Sequence, residues 1–596
     1  SGIESPSKGE VIINGINLHN EKAKLEGVIG LIPQDDLLIE ELTVFQNLYY
    51  NAKLCFKDKS DDEIIKLVNK TLQNLGLFEK KDLKVGSPFK KTISGGQRKR
   101  LNIALELIRE PSILFIDEPT SGLSSKDSEN VMDLLLELTL KGKLIFVVIH
   151  QPSSEIYKMF DKMIILDDGG YLIYYGNPVE AVMYYKRLDA QINSEIGECP
   201  TCGNVNPELL FNIIEAKVVD EFGNYTDSRK VPPQKWNEYY KRNTKLREVK
   251  TISESPPKNL KIPNWIKQFS IYTIRDFLSK ISNTQYIALS ILEAPVLGFI
   301  LSYIIRYIED PSSTLYIFRV NENIHIFIFM ALIVALFLGL TVSAEEIFRD
   351  RKMLKREAFL NLSRSSYLIS KIIILLIISA IQSFLFIIIA NAILGIREMY
   401  FIYWLALFST SAFANMLGLN ISASFNSAVT IYILIPLIMI PMMILSGAMF
   451  SFDKLNRSIG RVDKVPWIAE IMVTKWTYEA LMVHQFKDNK FNKTFYEYDK
   501  RISRADYKKV YWIPELRNRL KDINKELNES NSINETKNAL KVIYNEVEKE
   551  MRNVPEIKFE ALDKLSETSF NRGVSRKVNI YLNELDDYYS LDFSRA

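Results

Sequence analysis

The chain has 596 residues, 47% of them apolar, which is more than one ordinary domain buries and leaves material for a membrane part. Lys and Arg number 75 against 72 Asp and Glu, a net charge of +3, so no global field argues for a nucleic-acid partner. Three cysteines in a chain this long exclude a disulfide framework.

In chain order, the opening SGIESPSKGE carries no apolar signal segment. Residues 1–190 alternate short β-like runs (Val11 to Ile13, Val28 to Ile32, Ile113 to Ile116, Leu144 to Ile149, Met163 to Leu166) with helical patterns such as Asp62 to Leu75, the signature of an α/β domain. Residues 191–284 are polar for most of their length and read as a connector. Residues 285–450 hold five apolar runs, near Tyr286 to Ile308, Ile324 to Ser343, Ile369 to Leu394, Tyr400 to Ser422 and Ala428 to Phe450. Each is about long enough to cross a hydrocarbon core of roughly 30 Å, so this part is expected to be an all-α transmembrane domain of five helices. Residues 451–596 turn polar again. There Leu516, Leu520, Ile523, Leu527 and then Leu540, Tyr544, Val547, Met551 recur at helical spacing around Ser530-Asn531-Ser532, which predicts a helical hairpin.

The basic run Arg349, Arg351, Lys352, Lys355 and Arg356, with Arg364, lies between the second and third apolar runs and marks that loop as cytoplasmic. By parity the α/β domain is cytoplasmic and residues 451–596 form a largely helical extracytoplasmic domain, with a closing membrane helix expected after them.

Two stretches carry chemistry. In ISGGQRKR, Ile93 to Arg100, a hydroxyl and two glycines precede a basic helix-forming run, an arrangement that exposes backbone N–H groups to an anion. In ILFIDEPTSGLSS an apolar strand delivers Asp117 and Glu118 to its polar end. One carboxylate there can hold Mg²⁺ while the next orients or deprotonates a water. Alone, a strand ending in Asp-Glu is a solvated loop start, and a single His after a strand, such as His150, is a strand-end residue. The phosphate loop G-x-x-x-x-G-K-[ST] occurs nowhere in the chain.

Together and in order, GLIPQDD, ISGGQRKR, LFIDEPTSGL and FVVIHQPS resemble the nucleotide-binding domain of ABC transporters. The resemblance implies a P-loop-type α/β fold that uses ATP and Mg²⁺. Gln34 then senses the metal and the attacking water, Asp117 supports Mg²⁺, Glu118 is the catalytic base and His150 contacts the γ-phosphate. Ser94, Gly95, Gly96 and Gln97 become the signature loop, which in the family faces ATP held by a second domain and so implies a dimer. The stretch SGIESPSKGEVIING resembles the sequence that follows the family's phosphate-loop helix, so a loop is expected upstream and these residues alone are expected to be inactive. Ser124 stands where the family usually has Asp, which weakens the implied coupling of the two sites.

The ATPase-first order, with TVFQNLYYNAKL, GNPVEAVMYY and NPELLFNII, resembles the G subfamily of half-transporters over most of residues 1–485. It implies an ABC-2 type membrane domain, a second half-transporter as partner (a homodimer in the first instance), a connecting helix near Ile266 to Lys280, and a loop, Glu345 to Phe359, that rests on the ATPase.

Three points stay open. Glu293, inside the first apolar run, is either functional or an acid that snorkels or caps a neighbouring helix. Cys199 and Cys202 have the spacing of half a zinc site without its second pair, and a reduced, metal-free turn is expected. Two functions compete: ATP-driven export of lipid-like or amphipathic compounds across the bilayer, and mechanotransmission to residues 451–596 without transport. The absence of cysteine from residues 451–596 suits a bacterial inner membrane.

Overall fold

The computed structural model describes residues 5–87, 92–189, 195–199, 204–219, 222, 224–244, 254, 256, 260–309, 312, 315–460, 464–529, 533–566 and 569–595. The chain forms two compact units. One comprises Ser1–Val296, Ala335–Ser383 and Ser411–Ile440, the other Leu297–Val334, Phe384–Thr410 and Pro441–Ala596.

In the first unit a parallel sheet of three strands runs in the order Ile29–Ile32, Ile113–Asp117, Leu144–Val148. Parallel strands need crossover connections, and helices supply them. Gly95–Leu107 precedes the central strand and Ser125–Leu140 follows it. One sheet face is buried under these helices through Ile32, Ile103, Leu114, Ile116, Val131, Met132 and Leu135. The other face is open: Phe115 and Phe146 stack at 4.8 Å, and Leu144, Phe146 and Val148 are 53%, 39% and 59% exposed. Strand Leu144–Val148 pairs along one edge only, and Met163–Asp167 pairs only with Tyr171–Gly176, so among the described residues each keeps a free edge. These elements match the sequence reading to within a residue or two, except that Val11 to Ile13 shortens to Ile12–Ile13 in a two-stranded hairpin.

Helices Val44–Cys55 and Asp61–Asn74 open with reciprocal capping boxes, Thr43 with Gln46 and Ser60 with Glu63. Their apolar faces share a core with Ile271 and Tyr272 of helix Trp265–Ser282 and with Leu360, Leu362 and Tyr367, which flank the end of helix Glu346–Phe359.

Four helices are long and apolar enough to cross a membrane: Thr284–Ile305, the stretch beginning Ile324–Ser343, Arg364–Leu394 and Tyr400–Ser424. The fifth apolar run yields the shorter helix Ala428–Ile444, of 17 residues. It stops before the run does, and the chain turns at Gly447, whose φ of 78° suits glycine.

In the second unit, helices Asn492–Tyr507, Ile513–Glu529, Ile533–Asn553 and Arg572–Arg595 enclose a core containing Leu516, Leu520, Ile523, Leu540, Val547 and Leu582. The expected hairpin is the pair Ile513–Glu529 and Ile533–Asn553; its break at 530–532 lies outside the described residues. Inside this core the fully buried Glu550 carboxylate accepts from Lys508 Nζ and Tyr589 Oη, so a costly buried charge is paired.

Candidate functional site

The sheet register builds the site. Ile32 lies beside Ile116, and Asp117 beside Val148, so three strands running in one direction end together. Two residues past each strand-end pairing stand Gln34, Glu118 and His150. Gln34 donates from Nε2 to Glu118 Oε2 at 2.7 Å, and His150 Nε2 lies 3.3 Å from Glu118 Oε1. Both oxygens of one carboxylate are therefore engaged, from opposite sides in sequence. Glu118 holds a left-handed φ of 44° while its N–H donates to Val148 O at 2.9 Å, so the turn is fixed by the neighbouring strand. A glutamate in that region is uncommon, and such strain is stored where geometry matters. Gln151 after His150 shows the same feature, at 43°. The His150 side chain is 80% exposed against 19% for Glu118, so the cluster opens to solvent on the histidine side.

Asp117 ends its strand with an exposed side chain beside this cluster. Gln34 spends amide N–H on Glu118, so its carbonyl oxygen is left as a hard oxygen ligand, and with the Asp117 carboxylate it is of the donor type that suits Mg²⁺. Among the described residues no group of three or more His, Cys, Asp or Glu forms a metal cage. Cys55 is buried and Cys199 exposed, while Cys202 lies outside the described residues.

Ser94, Gly95, Gly96 and Gln97 sit elsewhere, at the start of helix Gly95–Leu107. Ser94 is its N-cap: its Oγ accepts from Gln97 N at 3.2 Å and its own N–H donates to Gln97 Oε1 at 2.9 Å. The cap uses a lone pair of the hydroxyl and leaves its O–H able to donate. A Cβ on Gly96 would come within 2.7 Å of Asp127 Cγ, and one on Gly95 within 3.2 Å of Leu123 Cδ2, so both glycines are dictated by close approach. Ser124, the departure from the family pattern, caps helix Ser125–Leu140 and donates to Asp127 Oδ2 at 2.9 Å, which helps to hold that carboxylate against Gly96.

Sequence reasoning missed how the basic run after the glycines is used. Arg98 Nε meets Asp36 Oδ2 at 2.9 Å, Lys99 Nζ donates to Gln34 O at 3.0 Å, and Asn102 Oδ1 accepts from Leu37 N at 3.3 Å. One helix face thus grips the segment that presents Gln34. Burial pushes the Lys99 ammonium down, against the pull of Asp36, Asp117 and Glu118. The i, i+1, i+4 spacing of these side chains was the available signal.

The same segment meets helix Glu346–Phe359. Asp35 pairs with Lys352 at 2.8 Å, and Arg356 Nη2 donates to Asn51 Oδ1 at 2.8 Å in a buried setting. Glu357 accepts from Arg275 Nη1 at 2.7 Å and from Tyr272 Oη at 3.2 Å, which ties this helix to Trp265–Ser282. One peptide unit separates the Gln34 contact to Glu118 from the Asp35 contact to Lys352.

The family model described as ABC transporter matches residues 1–121, and two described as ABC-2 type transporter match residues 150–237 and 267–486. The chain is 27% identical over 521 residues to the broad substrate specificity ATP-binding cassette transporter ABCG2 of Bos taurus, a match covering 81% of this chain and 75% of that protein. It is 39% identical over 191 residues to putative white-brown complex homolog protein 30 of Arabidopsis thaliana, covering 32% of this chain and 17% of the plant protein. To the ABC-type transporter claG of Penicillium crustosum it is 36% identical over 202 residues, 34% of this chain and 26% of the fungal one. The chain belongs to the ABC transporters, with an ABC-type ATPase domain followed by an ABC-2 type membrane domain in the order of the ABCG half-transporters.

Proposed function

We propose that the chain is one half of a dimeric, ATP-driven exporter of lipid-like or amphipathic compounds, with its ATPase domain in the cytoplasm. The observation that carries this reading is the convergence of Gln34 and His150 on Glu118 at the common end of three parallel strands. ATP and Mg²⁺, when bound, supply the electrophilic phosphate and its charge neutralisation. Glu118 then accepts the proton of the attacking water, Gln34 orients it, Asp117 steadies the ion, and His150 meets the terminal phosphate. The His150 side chain is 80% exposed and so free to reach outward.

The signature residues serve a different nucleotide. Ser94 O–H, the N–H groups of Gly95 and Gly96 and the positive end of a 13-residue helix form an anion site on a different element from the Glu118 cluster, which suits ATP carried by a second copy. The two free strand edges and the open face of Phe115 and Phe146 fit a further strand and helix bearing a phosphate loop. A polypeptide of these 596 residues carries no such loop motif and by itself is inactive in this reading. Helix Glu346–Phe359 passes closure to the spans through Asp35–Lys352 and Asn51–Arg356.

The test is ATPase activity in proteoliposomes of a protein that joins these residues to a phosphate loop. Stimulation by amphipathic compounds is expected. An ATPase indifferent to every amphipath tried contradicts the export reading.

A further inference from the structure

Glu293 is the tenth residue of the 22-residue span Thr284–Ile305. Nine residues of helix rise about 13 Å, further than a glutamate side chain reaches, so Glu293 cannot snorkel back to the start of its own helix. Nor does it cap a neighbour: it has no hydrogen-bond or ion-pair partner among the described residues, and it is half-buried. An acid placed so in an apolar span is costly and calls for a counterpart.

The adjoining span supplies a second unsatisfied acceptor. Gln382, 2% exposed on helix Arg364–Leu394, donates from Nε2 to Ser290 O at 2.9 Å, which fixes its amide against the helix of Glu293, one turn before that residue. Its Oε1 has no partner among the described residues. The Glu293 carboxylate and the Gln382 amide oxygen are thus two acceptors on adjoining helices, and neither has a donor among the described residues. Around Glu293 the helix presents Leu289, Leu292 and Val296 at 62%, 59% and 50% exposure, an apolar flank open to an alkyl chain.

We propose that Glu293 and Gln382 form an intramembrane recognition site for the protonated amine of an amphipathic substrate, whose chain lies along the Leu289, Leu292 and Val296 flank. An ammonium offers several N–H donors and one positive charge, complementing a carboxylate and an orphaned amide oxygen. This rests on the export reading and narrows its substrate class to cationic amphipaths. Binding does not require hydrolysis, so it can be measured on the chain as it stands.

The experiment is equilibrium binding of radiolabelled dodecylamine and dodecanol to the full chain in phosphatidylcholine nanodiscs, with empty discs subtracted. The amine is expected to bind about tenfold or more tightly than the alcohol, the scale of one charge-assisted contact. Glu293→Gln should abolish the preference, Gln382→Leu should reduce it several-fold, and Glu293→Asp, which keeps the charge, should retain most of it. Dodecanol binding should be unchanged in all three, which also reports that each variant is folded. Equal binding of both probes, or a preference that survives Glu293→Gln, overturns the cation site and leaves amphipath export standing. Binding of neither probe overturns both.

Discussion

Arg356 donates from Nη2 to Asn51 Oδ1 across 2.8 Å, and Asn51 Nδ2 donates onward to Leu105 O at 2.6 Å. A helix that follows a membrane span is thereby hydrogen-bonded to the helix that begins at the signature residues. The Arg356 guanidinium also lies 3.9 Å from Glu106, too far for a hydrogen bond, and Glu106 keeps Arg109 as its own close partner. Loss of Arg356 therefore strands Asn51 more than it strands a charge. Arg356→Ala is expected to destabilise the first unit by about 2 kcal/mol, read as a lower apparent unfolding temperature in detergent. An unchanged unfolding temperature would mean that the buried contact contributes nothing.

Gly96 offers a sharper packing test. Alanine normally stabilises a helix relative to glycine by about 1 kcal/mol, but a Cβ here meets Asp127 Cγ at 2.7 Å. Gly96→Ala should lower the unfolding temperature, and because Asp127 Cβ itself lies 2.9 Å from the added atom, Gly96→Ala with Asp127→Gly should restore it to that of Asp127→Gly alone or higher. Additive losses in the double variant would place the clash elsewhere.

The thiol of Cys55 gives a pH signature. Burial pushes it up from 9.0 to about 11, chiefly by desolvation. A folded pKa above the unfolded value contributes stability that is complete below pH 9 and lost as pH rises through 11. At about 1.4 kcal/mol per unit the loss approaches about 3 kcal/mol. Unfolding temperature should fall between pH 9 and 11, and Cys55→Ala should flatten that fall. Iodoacetamide at pH 8 should label exposed Cys199 in the folded protein and reach Cys55 only on unfolding. Labelling of Cys55 at the same rate as Cys199 would contradict its burial.

Glu118→Gln preserves shape and an acceptor for Gln34 Nε2 but removes the base. In a protein that joins these residues to a phosphate loop, ATP binding should persist while hydrolysis slows by about a hundredfold or more. Near-normal turnover would remove Glu118 from its role.

What could be read from sequence followed from local rules. Apolar runs of four to six residues ahead of Gln34, Glu118 and His150 marked strands, and Ser94-Gly95-Gly96-Gln97 marked a helix start. Their convergence depends on parallel register, which no local pattern encodes: Ile32 beside Ile116 is a tertiary fact. The grip of Arg98, Lys99 and Asn102 on residues 34–37 was hidden because a basic run reads as a solvated face until its partners are known. The fifth apolar run reads as one long helix because composition does not show that the chain turns at Gly447. Glu293 stood out as an acid among apolar residues, but Gln382 did not, since its orphaned oxygen exists only in the packed spans.

In the proposed dimer the Glu118 cluster and the Ser94 loop serve different nucleotides, one on this chain and one on a partner. The most direct measurement is ATPase activity of purified mixed dimers that pair a polypeptide of these 596 residues with a copy joined to a phosphate loop. One composite site should then work, because Ser94 and Gly96 of the short chain meet the nucleotide held by the longer one. On the short chain Glu118→Gln should be nearly silent, whereas Ser94→Arg, bulky at the anion site, should abolish the activity. Equal damage from Glu118→Gln and Ser94→Arg would show both groups acting on one nucleotide, and would contradict the division of labour.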